Sequence, residues 1–371
     1  MTAETGARGV AATHAEMKGY LRDLPAHLGE ATARAREWAR ELPRPAGRAG
    51  AVALAGLGGS AVGGDLARAL LRDAAPAPFE VVRDYHLPAW IRHGSAVLAS
   101  SYSGNTEETL SAFDEARARG ASVWVVTSGG ELARRAEAAG LPLFRLPPGL
   151  PPRAALGQSL PPVLLAGAVL AGLEAEPYAA ALEQAAERLA TWSPPWAAPE
   201  GDNPALALAE RLATEIPVFY AGTGLYEPAA VRWRAQLAEN AKMLSFHHLL
   251  PEMDHNEIVG WQENAELLRR CRAVFLTGSH DHPRVSRRIE ITAELIEPVA
   301  GGVEVVRAPR GTPAEELLGL VLLGDYVSLH AAAVHGVEPV PVQRISVLKA
   351  ALKDGGAATG ERAGPSTRGG G

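Results

Sequence analysis

Five short apolar runs in the first half of the chain constrain its fold more than any other feature. Helical stretches separate most of these runs, and a proline-rich turn, Pro147-Pro-Gly149 with Pro151-Pro152, follows the last of them. Short apolar strands that alternate with helices are typical of a parallel sheet covered on both faces. The runs span residues 52–55, 79–82, 96–99, 123–126 and 143–146. They predict an α/β fold built on a flavodoxin-like, doubly wound parallel sheet flanked by helices.

A hydroxyl-rich turn follows the third apolar run. The sequence Ser101-Tyr-Ser-Gly-Asn-Thr106 lies between that run and residues 110–119, whose composition suits a helix. Ligands bind at the carboxyl ends of strands in open α/β sheets, and a helix N-terminus presents unpaired N–H groups that suit a phosphate. An ordinary polar turn, with Thr106 as the N-cap of the helix, explains the same residues equally well. This loop alone does not decide between the two interpretations.

A glycine-rich turn after the first apolar run favours ligand binding. Residues 56–65 have the sequence Gly-Leu-Gly-Gly-Ser-Ala-Val-Gly-Gly-Asp, and glycines let a backbone approach a ligand closely. Their spacing differs from the dinucleotide-binding fingerprint, and the turn has no P-loop lysine. Together the two loops resemble the SIS (sugar isomerase) domain, which binds phosphosugars.

Composition excludes several classes of protein. The net charge of −6 gives no electrostatic case for nucleic-acid binding, and the single cysteine rules out an internal disulfide and suits a reducing cytosol. The N-terminus lacks a signal-peptide pattern, and apolar stretches such as residues 163–173 are too short to span a bilayer. We therefore expect a cytoplasmic protein that binds neither nucleic acid nor a membrane.

A second α/β unit is predicted in the other half of the chain. It begins with the apolar run 218–221 and Gly222-Thr-Gly224, continues with a helix over 228–243, and has short strands near 246–249, 274–277 and 303–306. Its counterpart of the hydroxyl-rich loop is Thr277-Gly-Ser-His-Asp281, which is a weaker phosphate cradle. The halves are thus predicted to share one architecture, with phosphate bound only by the first.

The predicted domain organisation has six parts. They are an N-terminal helical segment (1–45), a first SIS domain (46–152), connecting helices and a linker (153–202), a second SIS domain (203–311), a C-terminal helical segment (312–353) and a disordered tail (354–371). Within the connecting part, residues 159–189 are predicted to be helical and residues 193–202 to form the linker. The Gly-rich and charged composition of the tail is the reason for expecting disorder there.

Polar side chains recur along one face of the predicted helix 228–243. Arg232, Gln236 and Glu239 fall at positions i, i+4 and i+7, so they share a face. On a helix rich in alanine and leucine such a face is usually solvated, and the spacing alone favours that interpretation. Residues 250–261 then hold a dense cluster of titratable and amide groups, yet the histidines lack the spacing of metal ligands. We therefore predict no metal site.

Several motifs spread over both halves resemble the bifunctional phosphoglucose/phosphomannose isomerase family. They are residues 56–65, residues 101–109, Pro152-Arg153, residues 236–242 and His255-Asn-Glu-Ile-Val-Gly-Trp261. Members of that family have two SIS domains and typically act as dimers with active sites near the subunit interface. The resemblance covers nearly all of the chain except its termini. It implies an aldose–ketose isomerase that interconverts glucose 6-phosphate, and mannose 6-phosphate, with fructose 6-phosphate through an enediolate.

The resemblance also implies a role for each matching residue. Glu239 is similar to the base that moves a proton between C1 and C2, and Arg153 to the cation that steadies the enediolate. His255 is similar to the residue that assists ring opening and is contributed by the neighbouring subunit. In Ile345-Ser-Val-Leu-Lys349, Lys349 is similar to the lysine that reaches the active site, with Lys353 as a competing candidate. The implied phosphate and sugar contacts are Gly59, Ser60, Ser101, Ser103 and Thr106.

These residue types suit the implied chemistry. A carboxylate can take and return a proton, a guanidinium can hold an enediolate without itself titrating, and a histidine suits ring opening near neutral pH. Neither a metal nor a nicotinamide cofactor is required. Two departures from the family pattern stand out, Ala61 where glycine is frequent and Val342 where a hydroxyl residue can occur.

Two alternatives remain. One is an SIS isomerase for another sugar phosphate, such as a phosphorylated pentose or amino sugar, and the motif around His255 argues against it. The other is a non-catalytic regulator that binds phosphosugars. Such regulators usually carry a DNA-binding helical domain, and this acidic chain has no basic helix to serve as one.

Overall fold

The computed structural model describes residues 3–43 and 49–355. The strands are β1 (Val52–Ala55), β2 (Phe79–Val82), β3 (Ala96–Ser100), β4 (Ser122–Thr127), β5 (Leu143–Arg145), β6 (Ile216–Gly222), β7 (Phe246–Leu250), β8 (Cys271–Thr277) and β9 (Gly302–Arg307). The helices are α1 (Ala3–Glu41), α2 (Gly58–Leu71), α3 (Glu107–Ala118), α4 (Gly130–Ala138), α5 (Leu156–Leu170), α6 (Glu176–Trp196), α7 (Pro204–Leu212), α8 (Glu227–Gln236), α9 (Ala265–Leu268), α10 (Pro283–Ile296), α11 (Pro313–Val334) and α12 (Gln343–Gly355). Most of the predicted tail, residues 356–371, lies outside the described residues.

The first sheet has five parallel strands in the order β2-β1-β3-β4-β5. Val52 of β1 pairs with Phe79 on one side and with Ala96 on the other, so β1 and β3 are neighbours. Every position of β1 and β3 is buried, because helices cover both faces of the sheet. This is the flavodoxin-like order that was predicted, and its strand order reverses between β1 and β3. Ligands bind in the crevice at such a switch point.

The second sheet repeats this arrangement with four parallel strands in the order β7-β6-β8-β9. Tyr220 of β6 pairs with His248 of β7 and with Phe275 of β8. The α/β prediction with two flavodoxin-like sheets is therefore confirmed. By position in the sheet, the loop after β6 corresponds to the loop after β1, and the loop after β8 corresponds to the hydroxyl-rich loop after β3.

Two long helices bring the halves of the molecule together. Helix α1 lies in the predicted N-terminal helical segment and packs against α5, α6 and α11. Its buried residues include Met17, Leu21, Leu24 and Leu28. Helix α11 packs against α6, α7 and α8. It is also long and apolar enough to cross a membrane by length and composition, unlike residues 163–173, but almost all of it is buried. That burial is typical of the core helix of a globular fold.

The predicted linker 193–202 is shorter in the structure, because α6 continues through Trp196. Pro194 and Pro195 lie within the helix, close to its end. The flanking side chains hold this segment in place: Ser193 Oγ and Tyr326 Oη are 2.6 Å apart, and Trp196 is buried. Contacts with α11 thus outweigh the local preference of two prolines for a turn.

The predicted helix over 228–243 is not regular to its end. The regular helix α8 ends at Gln236, and a π-helical turn, Leu237–Ala241, follows it directly. Lys242 ends the turn in the left-handed conformation, with φ of 59°. A π-turn inserts a residue into a helix and often occurs at functional sites. Here the turn contains the predicted base, Glu239, and packs against α11.

Candidate active site

The hydroxyl-rich loop after β3 is held by its own side chains. Ser101 Oγ and Thr106 Oγ1 are 2.8 Å apart, and the N–H of Gly104 donates to Ser101 Oγ at 3.1 Å. Ser101 is buried, whereas Ser103 is exposed and accepts a hydrogen bond from the N–H of Asn105 at 3.3 Å. Hydrogen bonds within the loop thus hold Ser101 and Thr106 in place, while the hydroxyl of Ser103 is exposed.

Helix α3 begins without a side-chain cap, as far as the described part of the chain extends. Thr106 stands at the N-cap with extended backbone, but its hydroxyl makes no capping bond and pairs with Ser101 instead. The prediction of Thr106 as the N-cap residue is therefore confirmed by its position, although its hydroxyl does not cap the helix. Because the first N–H groups of α3 have no such partner, they can hold an anion.

One close backbone approach and two hydrogen bonds of a tyrosine shape this loop. Gly104 has φ of 70°, and a Cβ atom there would collide with the carbonyl oxygen of Gly129, so the position requires glycine. The hydroxyl of Tyr102 donates to Pro147 O at 2.8 Å and accepts from the N–H of Leu150 at 3.0 Å. Tyr102 thereby fastens the loop to the proline-rich turn that leads to Arg153.

The glycine-rich loop after β1 connects the hydroxyl-rich loop to Arg153. Ser60 is buried, and its Oγ accepts a hydrogen bond from the N–H of Tyr102 at 3.3 Å. A Cβ atom on Gly59 would lie 2.6 Å from Pro152 O and 3.4 Å from Arg153 Cα. Only glycine allows the backbones to pack this closely. The two predicted binding loops and Arg153 therefore lie side by side at the switch point of the first sheet.

The guanidinium of Arg153 lies at the centre of this region, with only 5% of the residue exposed. Its Nε donates to Asn240 Oδ1 at 2.8 Å, and its Nη2 donates to Pro339 O at 2.7 Å and Val340 O at 2.8 Å. Its Nη1 lies 3.5 Å from Oε2 of Glu239. Burial lowers the pKa of Arg153, and the Glu239 carboxylate opposes that effect. The predicted cation and the predicted base are therefore neighbours.

A buried network lies beneath this pair. Arg232 donates to both carboxylate oxygens of Asp325, at 2.9 and 2.7 Å, and Gln236 donates to the same carboxylate at 2.9 Å. Arg232 Nη2 also donates to the carbonyl oxygen of Arg153 at 3.0 Å. The prediction of a solvated helix face is therefore wrong for Arg232 and Gln236, which are buried against α11. Helical spacing alone does not reveal such a partner.

Lys242 is a further cation beside Glu239. It lies in the matching motif 236–242, but no role was predicted for it. Its Nζ donates to the backbone oxygen of Glu239 at 2.5 Å and to Pro341 O at 2.8 Å. Burial and the charge of Arg153 lower the pKa of Lys242. Glu239 and Lys242 line an open cavity of about 1570 Å³, together with residues of α1 and the segment 336–345. Lys242 ends the π-turn in the left-handed conformation, and no local sequence pattern indicates this.

His255 lies on an exposed turn whose flanking residues are hydrogen-bonded. It ends the short 3₁₀ turn Glu252–His255. Before it, Asp254 accepts hydrogen bonds from Arg288 at 2.9 Å and Thr292 at 3.0 Å. After it, Glu257 accepts from the hydroxyl of Tyr220 at 2.5 Å and lies 2.7 Å from Nδ1 of His248. In the described residues no hydrogen bond or ion pair joins His255 to Glu239 or Arg153.

Lys349 likewise forms no hydrogen bond or ion pair with Arg153 or Glu239 within the described residues. It lies exposed on α12, and none of the described residues forms a hydrogen bond or ion pair with it. Large apolar side chains of the same helix are exposed as well: Ile345, Val347, Leu348 and Leu352. The side chain of Lys353 lies outside the described residues. Of the predicted site residues, one chain therefore assembles all but His255 and Lys349.

The corresponding loop of the second sheet is filled by a carboxylate of the chain itself. Glu316, buried at the start of α11, accepts hydrogen bonds from the N–H and hydroxyl of Ser279 at 2.8 and 2.5 Å. It also accepts from the hydroxyl of Tyr226 at 2.5 Å and the N–H of Gly311 at 3.1 Å. Donors that correspond to a phosphate cradle are thus already occupied. This is a physical reason to expect phosphate only in the first half.

Comparisons with known proteins agree with this architecture. Residues 201–352 match the family model described as the bacterial phospho-glucose isomerase C-terminal SIS domain. The solved structure of tagatose-6-phosphate ketose/aldose isomerase from Escherichia coli superposes with a TM-score of 0.62 at 16% identity, covering 88% of this chain and 95% of that one. Two flavodoxin-like sheets with a loop cradle at the switch point define a protein of the SIS-domain class.

Relatives identify the family within that class. A bifunctional phosphoglucose/phosphomannose isomerase from Caldicellulosiruptor bescii is 38% identical over 305 residues, which cover 82% of this chain and 89% of the relative. One of the same description from Aquifex aeolicus is 35% identical over 303 residues, covering 81% of this chain and 90% of the relative. The chain belongs to the bifunctional phosphoglucose/phosphomannose isomerase family.

Proposed function

We propose that this protein is an aldose–ketose isomerase that interconverts glucose 6-phosphate and mannose 6-phosphate with fructose 6-phosphate. The observation that carries the proposal is the contact between Arg153 Nη1 and Glu239 Oε2 at 3.5 Å, beside the two loops at the switch point. A carboxylate next to a fixed cation is the minimum that proton transfer through an enediolate requires. Membership of the family supports the choice of substrates.

The substrate phosphate is held by the hydroxyl-rich loop. Ser101, Ser103 and Thr106 offer hydroxyl groups there, and the first N–H groups of α3 favour negative charge. Ser60 supports the loop from the glycine-rich side. Gly59 keeps the two backbones close enough for the sugar to reach Arg153. Since the phosphate is remote from the reacting carbons, its binding energy positions those carbons at the base.

The isomerisation itself uses the Arg153–Glu239 pair. Glu239 removes the proton from C2 of the open-chain aldose and delivers it to C1. The C2 hydroxyl loses its proton and becomes the ketone, while O1 gains a proton and becomes a hydroxyl, so the second proton passes in net from O2 to O1. The Nη1 group of Arg153 stabilises the negative charge of the intermediate enediolate. Glucose and mannose differ only at C2, which is planar in that intermediate. One carboxylate therefore serves both aldoses.

Ring opening is assigned to His255 of a neighbouring subunit in a homodimer. The exposure of His255 supports this, since hydrogen bonds hold the residues on both sides of it and, within the described residues, none joins it to Glu239 of its own chain. Exposed apolar residues on α12 support a second contact between subunits, and we propose that Lys349 belongs to the same shared site. The predicted division into domains and the cytoplasmic location complete the proposal.

A coupled assay of the purified protein tests this function. Activity with both glucose 6-phosphate and mannose 6-phosphate is the expected result, without an added metal or nicotinamide cofactor for the isomerisation step. Turnover of only a pentose or amino-sugar phosphate favours the first alternative, an SIS isomerase for another substrate. Binding of sugar phosphates without any turnover favours the regulator. The contact between Arg153 and Glu239 disfavours the regulator, because the binding of a sugar phosphate alone requires no catalytic base.

A further inference from the structure

The orientation of the Arg153 guanidinium depends on very few groups. Its Nη2 is committed to two backbone oxygens, and its Nη1 faces Glu239. Rotation about the Cδ–Nε bond would move both Nη groups away from these partners. The remaining donor, Nε, is bound by one side chain, the amide of Asn240, at 2.8 Å. The hydrogen bond to Asn240 therefore fixes the direction of Nε and, with it, the plane in which Nη1 and Nη2 lie.

Asn240 is itself held rigidly. It is fully buried, and its Nδ2 donates to Ser328 Oγ at 2.9 Å. Ser328 in turn donates to the backbone oxygen of Asp325 at 2.7 Å. The donation to Ser328 assigns the nitrogen of the amide, so its oxygen necessarily faces Arg153. The π-turn places Glu239 and Asn240, adjacent in sequence, against adjacent nitrogens of one guanidinium.

The chemistry of the amide matters as much as its position. An amide oxygen accepts the Nε hydrogen bond without carrying a negative charge. A carboxylate in its place would neutralise part of the Arg153 charge and compete with the enediolate. The buried carboxylate of the network, Asp325, is instead paired with Arg232. The arrangement orients Arg153 while leaving its charge available.

We propose that Asn240 is a positioning residue of the isomerase, which acts by fixing the guanidinium of Arg153 with Nη1 toward Glu239. The proposal rests on the proposed function, because the orientation of Arg153 affects turnover only if Arg153 stabilises the enediolate. The residue does not touch the substrate. Its contribution lies in turnover and not in binding, since the phosphate is held by the hydroxyl-rich loop.

The test compares Asn240→Ala with a matched variant, Asn203→Ala. Asn203 is also a buried asparagine, but it caps α7 and donates to Trp196 O, with no contact to Arg153. Since small errors in the position of a catalytic group can cost about 100-fold, we expect Asn240→Ala to lower kcat by about that factor with little change in KM. Asn203→Ala should lower the melting temperature while retaining kcat. Equal retention of kcat by both variants overturns the inference.

A second comparison shows whether Asn240 acts through Arg153. Arg153→Lys keeps the charge but lacks the planar fork, so it should lower kcat by itself. In that background, Asn240→Ala should change kcat by less than about threefold, since residues that act through one another are not additive. Full additivity of the two effects overturns the inference. If Arg153→Lys leaves turnover unchanged, the proposed function of Arg153 fails separately.

Ser328→Ala covers the case in which Asn240→Ala does not fold. It removes the acceptor of the Asn240 amide and leaves the Arg153 contact in place. A fall in kcat that is smaller than for Arg153→Lys, with KM unchanged, supports the positioning role. Unchanged kcat for a folded Ser328→Ala contradicts it.

Discussion

Arg153 and Glu239 meet at 3.5 Å although they come from different halves of the chain. Arg153 follows the proline-rich turn after β5, and Glu239 lies in the π-turn after α8. The residue Arg153 is 5% exposed, whereas 30% of the Glu239 side chain remains accessible. A buried cation thus meets a carboxylate that solvent and substrate can still reach.

Glu239→Gln should nearly abolish turnover. It preserves shape and hydrogen bonding but removes the basic carboxylate, and general acid–base catalysis is worth about two to four orders of magnitude. Both aldoses should lose activity together, while the affinity for the inhibitor 5-phosphoarabinonate changes little. Glu266→Gln, at an exposed glutamate of α9, is the control and should retain turnover. Retained turnover in Glu239→Gln would transfer the role to another carboxylate, with Glu252 and Glu257 next to be examined.

The double variant Ser103→Ala, Thr106→Ala should bind sugar phosphates weakly. Each hydrogen bond to a charged group contributes about 1.5–3 kcal/mol, so the loss of two should weaken binding at least about 100-fold. The measurement is the affinity for 5-phosphoarabinonate, with circular dichroism to confirm folding. Thr191→Ala removes an exposed hydroxyl of α6 and should bind as the unaltered protein does. Wild-type affinity in the double variant would show that the phosphate lies elsewhere.

Mixing two inactive variants should restore activity if His255 serves a neighbouring active site. In a symmetric dimer of Glu239→Gln and His255→Ala subunits, half of the dimers are hybrids and each hybrid regains one intact site. About one quarter of the original activity should therefore return after subunit exchange. Mixing Glu239→Gln with Arg153→Ala is the control, because those residues meet within one chain and no hybrid site is complete. Equal results for the two mixtures would place His255 in its own subunit's site or outside any site.

Glu316→Ala should destabilise the protein. Burial alone raises the pKa of Glu316, but hydrogen bonds from Ser279, Tyr226 and Gly311 outweigh it and hold the pKa below the ordinary 4.5. Such a carboxyl stabilises the fold above its ordinary pKa, and the contribution is lost as the pH falls through the lowered value. We expect a loss of at least about 2 kcal/mol of unfolding free energy near neutral pH, because buried donors are left unpaired. In denaturant titrations the difference from wild type should shrink below about pH 4.5.

Added acetate distinguishes the loss of the Glu316 carboxylate as a hydrogen-bond acceptor from a simple loss of packing. The variant lacks the group that acetate supplies, so acetate should raise the melting temperature of Glu316→Ala more than that of the unaltered protein. Glu315→Ala is the matched control, since Glu315 caps α11 with Thr312 but does not enter the loop of Ser279. No greater response in Glu316→Ala than in Glu315→Ala would argue against an anion cradle at this loop.

The order of the elements and the two loops of the first half were predictable from the sequence. Apolar runs mark strands buried on both faces, and Gly58 and Gly104 mark turns with positive φ, because these preferences act within a few residues. The motifs also contained Gly59, Glu239 and Asn240, which meet at Arg153, but not Pro339 and Val340. Local pattern therefore determined the fold class, the position of the site at the carboxyl ends of the strands, and the side chains available there.

Which of those side chains act together was decided only by the tertiary structure. Helical spacing favoured a solvated face for Arg232 and Gln236, but Asp325, supplied by α11, buries them. The π-turn that sets Glu239 and Asn240 against one guanidinium depends on packing against α11, and no local signal marked it. Burial and hydrogen-bond partners come from segments distant in the chain. A sequence therefore lists the charged groups, while only the fold determines which of them are paired, desolvated and oriented.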